Sequence, residues 1–191
     1  MPPAARDVLD FWFDPAQQAH WFEKSDAFDA QIRSRFAALH QRAVDGELDS
    51  WTLEPDSWLA LLIVLDQFSR NLYREDARAY AADAKVHSMV LAGIARGDDT
   101  RLSSLRRVFA YIPLEHAEDL ASQNHAVDLF ARLSEDVPVG ERLAYLNYLD
   151  YARRHRDVIA RFGRFPHRNQ VMGRVSTAAE LAYLSQPSAG F

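Results

Sequence analysis

The sequence predicts an all-α protein, a single compact domain of about seven to nine helices packed around a buried central helix. Three observations carry that prediction. Apolar residues recur at three- and four-residue steps along most of the chain. No stretch alternates apolar and polar residues for long enough to make a sheet. Glycine and proline fall where the helical periodicity lapses, as turns between helices require.

Phe28, Ile32, Phe36, Leu39 and Ala43 form one apolar stripe, which predicts a helix capped by Ser25 or Asp26 and ended by Gly46. A second helix begins at Asp56, the cap after Pro55. It is apolar nearly all round through Trp58, Leu59, Leu61, Leu62, Ile63, Val64, Leu65 and Phe68, so it is the helix expected at the centre. Further helices are predicted near 76–96, 102–112, 115–133 and 141–162, bounded by Gly97, Pro113, Pro138 with Gly140, and Gly163. A last short helix opens at Thr177, because Thr177 and Glu180 have capping-box spacing, and the tail at 186–191 is expected to be loose.

At 191 residues, with 48% hydrophobic and 26% charged residues, the chain can bury a core as one domain spanning 1–191. No linker or internal repeat divides it. The net charge of -5 and the lack of a basic run argue against nucleic acid and anionic membranes as partners. Cysteine is absent, which removes disulfides and thiolate chemistry. No signal-like segment opens the chain, and the longest apolar run, 58–65, is far short of the roughly twenty residues that span a bilayer. These features predict a soluble cytoplasmic protein. Lys24 and Lys85 are the only lysines. Arginine is the side chain that pairs bidentately with carboxylate or phosphate, although a compositional bias gives the same skew.

Three polar segments interrupt apolar surroundings. In Asp66-Gln67-Phe68-Ser69-Arg70-Asn71, Asp66 and Arg70 are one helical turn apart, as are Gln67 and Asn71. They read as an internal ion pair or as a ligand-facing pair. In Pro113-Leu114-Glu115-His116-Ala117-Glu118-Asp119, three carboxylates and a histidine are expected on the first turn of a helix. There they complement the helix dipole or supply acid/base chemistry. His116 and Asp119 share a face, yet one helix offers too few ligands, so no metal and no cofactor are expected. In Arg161-Phe162-Gly163-Arg164-Phe165-Pro166-His167-Arg168-Asn169, glycine and proline force the chain out of the long helix and leave forked donors on a turn. Those donors suit an anionic ligand, or equally the carboxylates Glu115, Glu118 and Asp119. His155 lies on an inward stripe with Tyr148, Ala152, Ile159 and Phe162. It reads as a hydrogen-bonded core histidine or as a base. Nucleophile-elbow, phosphate-loop and dinucleotide-binding signatures are missing.

Together the three segments resemble the bacterial family known as domain of unknown function 924. The opening Val8-Leu9-Asp10-Phe11-Trp12-Phe13 and the closing Gly173-Arg174, Ser176-Thr177 and Glu180 match it as well. The resemblance covers nearly the whole chain and implies tetratricopeptide-like helix-pair packing, but no activity.

The functional expectation is a small phosphate- or carboxylate-bearing ligand held by Asp66, Arg70, Asn71, Arg164, His167, Arg168 and Asn169. His116 or Glu118 would be the acid/base if the protein is an enzyme. The alternative is a non-catalytic module that presents Trp12, Trp21, Phe22 or Trp51 to a protein or peptide, with the polar segments serving as ion-pair networks.

Overall fold

The computed structural model describes residues 1–187 and residue 189, and it is all-helical, with nine α-helices among the described residues. The chain divides into two compact units. The first comprises residues 1–74 and 78–113, the second residues 75–77 and 114–191.

The first unit is organised around α3 (Pro55–Leu65), in which every residue except Asp56 is buried. A helix apolar on all faces needs neighbours on all sides. Here α1 (Pro3–Trp12), α2 (Asp26–Val44), α4 (Gln67–Leu72) and α5 (Asp83–Ala95) all pack on it. Aromatic rings fill the remaining space. Trp12 meets Phe109 edge-on at 5.5 Å, and Phe36 stacks on Phe68 at 5.0 Å. Trp58 is fully buried, and its indole N–H donates to the Met89 carbonyl at 3.0 Å. It lies flat against Gly93, where an added Cβ would stand 2.3 Å from the indole Cε2.

Several boundaries differ from the predicted ones. Helix α1 has no predicted counterpart, although Pro3 in its first turn and buried Ala5, Val8, Leu9 and Trp12 carry the usual marks of an amphipathic helix. The Asp56 side chain does not cap α3. Glu54 holds that position without a side-chain bond, and Pro55 begins the helix. The helix expected over 76–96 is a short 3-10 turn, Ala77–Tyr80, followed by α5. α6 (Ser104–Glu115) runs through Pro113 instead of stopping before it. The ring forfeits one backbone bond, and the full burial of Leu114 just beyond offsets that loss.

The second unit pairs α7 (Leu120–Asp136) with α8 (Arg142–Phe162) along their length, joined through residues 137–141. Gly163 ends α8 in the left-handed conformation at φ 69°, donating to the Ile159 carbonyl at 2.8 Å. A 3-10 turn, Pro166–Arg168, follows. α9 (Ala178–Leu184) opens on the predicted capping box, with Thr177 and Glu180 each accepting the other's backbone N–H. Phe165 is fully buried against Val158 and Ile159, with Phe162 and Tyr183 at the edge. Of the tail expected at 186–191, residues 188, 190 and 191 lie outside the described residues. Gln186 and Ala189 donate back to Tyr183 and Gln186.

No helix among the described residues is long and apolar enough to cross a membrane.

Candidate functional site

The first polar segment lies in the first unit, where α3 breaks at Asp66 and α4 begins. Asp66 is 1% exposed, so its charge needs compensation. Arg70 supplies it at 3.0 Å and forks its other nitrogen onto both oxygens of Asp83 at 3.2 Å. Gln67 donates to Asp66 at 2.6 Å. Asn71 donates to Asp29 at 2.8 Å, and Arg74 pairs with the same carboxylate. Ser69 donates to the Leu65 carbonyl and therefore accepts from Nε2–H of buried His40, 2.7 Å away. Thus Asp66, Arg70 and Asn71 each join helix ends within this unit.

The second and third segments meet in the second unit. Glu115 to Asp119 do not form the first turn of a helix. Glu115 ends α6, residues 116–119 link it to α7, and Asp119 caps α7 by accepting from the Ser122 N–H at 2.8 Å. Chain direction changes here because Asp119 takes an extended conformation. Gln123 stabilises the linker, its amide donating to the carbonyls of Glu115 at 2.6 Å and Ala117 at 2.8 Å. Between those carbonyls, that of His116 accepts from Arg168 at 3.1 Å.

Around Arg168 three imidazoles gather. The His116 and His155 rings lie 6.3 Å apart, His155 stands edge-on to Phe165 at 5.7 Å, and Phe165 lies 5.5 Å from His167. The Arg168 guanidinium covers the Phe165 face at 4.4 Å. Arg168 and His155 are buried, whereas His116 and His167 are partly exposed, so the cluster reaches solvent at its histidine rim.

The local field is positive. Burial pushes His155 down to about 3; its hydrogen bond to the Tyr151 carbonyl opposes this, and His116, Arg168 and His167 reinforce it. Burial and Arg168 push His167 down to about 4, against Glu118. Burial alone would raise the Glu118 carboxyl. Hydrogen bonds from Arg174 and the Phe165 N–H, with the charges of Arg174 and Arg168, hold it below the usual range. Glu118 is clamped by Arg174 at 2.6 and 2.9 Å and accepts from the Phe165 N–H at 2.8 Å. It is an ionised anchor with little capacity to act as an acid or base.

Of the remaining predicted residues, Arg164 is turned onto Glu180 at 2.6 and 2.9 Å and onto the Val175 carbonyl. Asn169 is 1% exposed and donates to Ser176 at 3.0 Å. No group of three or more His, Asp or Glu among the described residues is arranged to hold a metal ion. Of the aromatics, Trp12 and Trp51 are core residues, and Phe22 is 59% exposed. Arg174 and Gln123 went unselected in the sequence, because nothing in spacing links them to Glu118 and the 115–117 carbonyls.

No curated protein matches the chain. A solved structure of a protein of unknown function from Agrobacterium tumefaciens is 41% identical, covers 95% of this chain and 97% of its own, and superposes with a TM-score of 0.85. The family model described as bacterial protein of unknown function (DUF924) matches residues 8–188, and the chain belongs to that family.

Proposed function

We propose that the polar centre of the second unit binds a small anionic ligand, phosphate- or carboxylate-bearing, with Arg168 as its main cation and His116, His155 and His167 around it. The observation that carries this reading is a buried guanidinium among three imidazoles in a protein of net charge -5. A cluster of cationic and weakly basic donors gains most from an anion where water is partly excluded. Its neutral imidazoles are suited to proton transfer on a bound ligand, and they take the acid/base role in place of Glu118. Asp66, Arg70 and Asn71 are assigned to holding helix ends, since their side chains are engaged by Asp83 and Asp29.

We infer tetratricopeptide-like packing from the α7 and α8 pair, and a cytoplasmic location from the absence of cysteine and of a membrane-crossing helix among the described residues. Equilibrium titration with sulfate and phosphate tests the ligand reading. Arg168→Gln should weaken both at least about tenfold, the equivalent of about 1.4 kcal/mol. Equal affinity in the variant would sink the assignment.

One observation favours a second reading as an interaction module. Val139 (79% exposed), Leu143 (74%) and Leu146 (42%) follow one another at four- and three-residue steps at the start of α8. A peptide-library screen in which Leu143→Glu selects the same sequences as the wild type would count against it.

A further inference from the structure

Within that site the histidine deepest in the protein is His155, 8% exposed. Its Nδ1 lies 2.9 Å from the Tyr151 carbonyl oxygen, one turn back along α8. A carbonyl only accepts, so Nδ1 carries the proton and the basic lone pair belongs to Nε2. Tying Nδ1 to its own helix turns Nε2 away from the α8 backbone. Several groups face the ring. They are the Glu115 carboxylate at the end of α6, 3.7 Å from Nδ1, and the His116 ring from the linker. Phe165 stands beside them, and Arg168 and His167 from the turn after it act through their charge. From α8 itself comes Tyr151, its ring 6.3 Å away. Glu118, the next carboxylate, is clamped by Arg174.

We propose that His155 is the proton acceptor of this anion site: occupancy by a sulfate- or phosphate-class dianion is coupled to transfer of one proton from solvent to His155 Nε2. An N–H bond forms at Nε2, the buffer gives up the proton, and no other bond changes. The imidazolium then offsets part of the charge that the anion brings into the protein. This rests on the reading of the second unit as an anion site.

Without an anion, His155 shares its surroundings with Arg168 and two further imidazoles, and the positive field together with burial keeps the ring neutral. A dianion seated against Arg168 reverses the sign of that field. The protonated ring becomes the favoured form, and proton and anion then promote each other's binding by the same factor. For one proton taken up per anion, affinity falls about tenfold for each pH unit of increase.

The test is a calorimetric titration of the full chain with sulfate, which neither takes nor gives a proton near neutrality. Two buffers of different ionisation enthalpy are used at one pH. The expected result is uptake of about one proton per sulfate bound. Nitrogen-15 spectra should show His155 Nε2 changing from a lone-pair to an N–H nitrogen on sulfate addition. His155→Gln should abolish the uptake, whatever its affinity, and the wild-type spectra stand on their own if that variant does not fold. Sulfate binding with no buffer dependence, or a new proton on His116 or His167 instead, would overturn the role of His155 and leave the anion site intact. If neither sulfate nor phosphate binds, both readings fall together.

Discussion

Gly93→Ala is a substitution that ordinary helix energetics gets wrong. In an exposed helix interior, replacing glycine by alanine stabilises by about 1 kcal/mol. Gly93 is buried inside α5, where a Cβ would stand 2.3 Å from both Cε2 and Cζ2 of Trp58 and 2.8 Å from Nε1. Carbon atoms in contact sit about 3.5–4.0 Å apart, so more than an ångström must open. Trp58 cannot swing away cheaply, since it is fully buried and its N–H is held by the Met89 carbonyl. Overpacking of this kind costs about 1–3 kcal/mol or more, which exceeds the propensity gain. Gly140→Ala is the control, because nothing lies within 4 Å of that Cβ. All four tryptophans, Trp12, Trp21, Trp51 and Trp58, belong to the first unit, so tryptophan fluorescence in urea reports the unit where the clash occurs. A net loss of about 1–2 kcal/mol is expected for Gly93→Ala and a change within about 0.5 kcal/mol for Gly140→Ala. A Gly93→Ala protein as stable as the wild type would refute the packing of α5 on α3.

Arg70→Met strands Asp66 in the interior, and urea unfolding should show a loss on the order of 3 kcal/mol; under 1 kcal/mol would mean that the Asp66 charge is met in another way. Arg174→Gln releases the clamp on Glu118, which is a quarter exposed, so the loss should be about 1–2 kcal/mol, with the Glu118 carboxyl moving up toward its ordinary range in a carbon-13 NMR titration. Stability should also fall as pH drops from about 6.5 toward 4. His40, His155 and His167 all have folded pKa values below the unfolded value near 6.5, so in that window the unfolded chain binds protons that the folded chain refuses. Each contributes up to about 1.4 kcal/mol per pH unit, and a urea midpoint that is flat between pH 7 and pH 5 would contradict it.

The helical architecture was legible because it rests on local rules. The α2 stripe, its Ser25 cap, the all-apolar α3 and the Thr177 capping box are written within a few residues of where they act. Boundaries went astray where tertiary burial overrode a local signal, as at Pro113, or where a short 3-10 turn replaced the start of a helix, as at Ala77–Tyr80. The site was half legible. The segments around His116 and Arg168 stand out by composition, and they do converge, through the His116 carbonyl. What spacing could not supply was the pairing. Glu118 finds Arg174, 56 positions on, and Arg164 finds Glu180, which separates clamped residues from those gathered around Arg168. Such partners depend on how the chain turns after Gly163, a property of packing that no short motif encodes.

The most direct test of the account is a crystal structure of the protein grown in sulfate. The prediction is an ion on Arg168, within hydrogen-bonding reach of at least one of the imidazoles of His116, His155 and His167. A well-ordered second unit in saturating sulfate with no anion at Arg168 would contradict the central claim and leave the cluster a structural one.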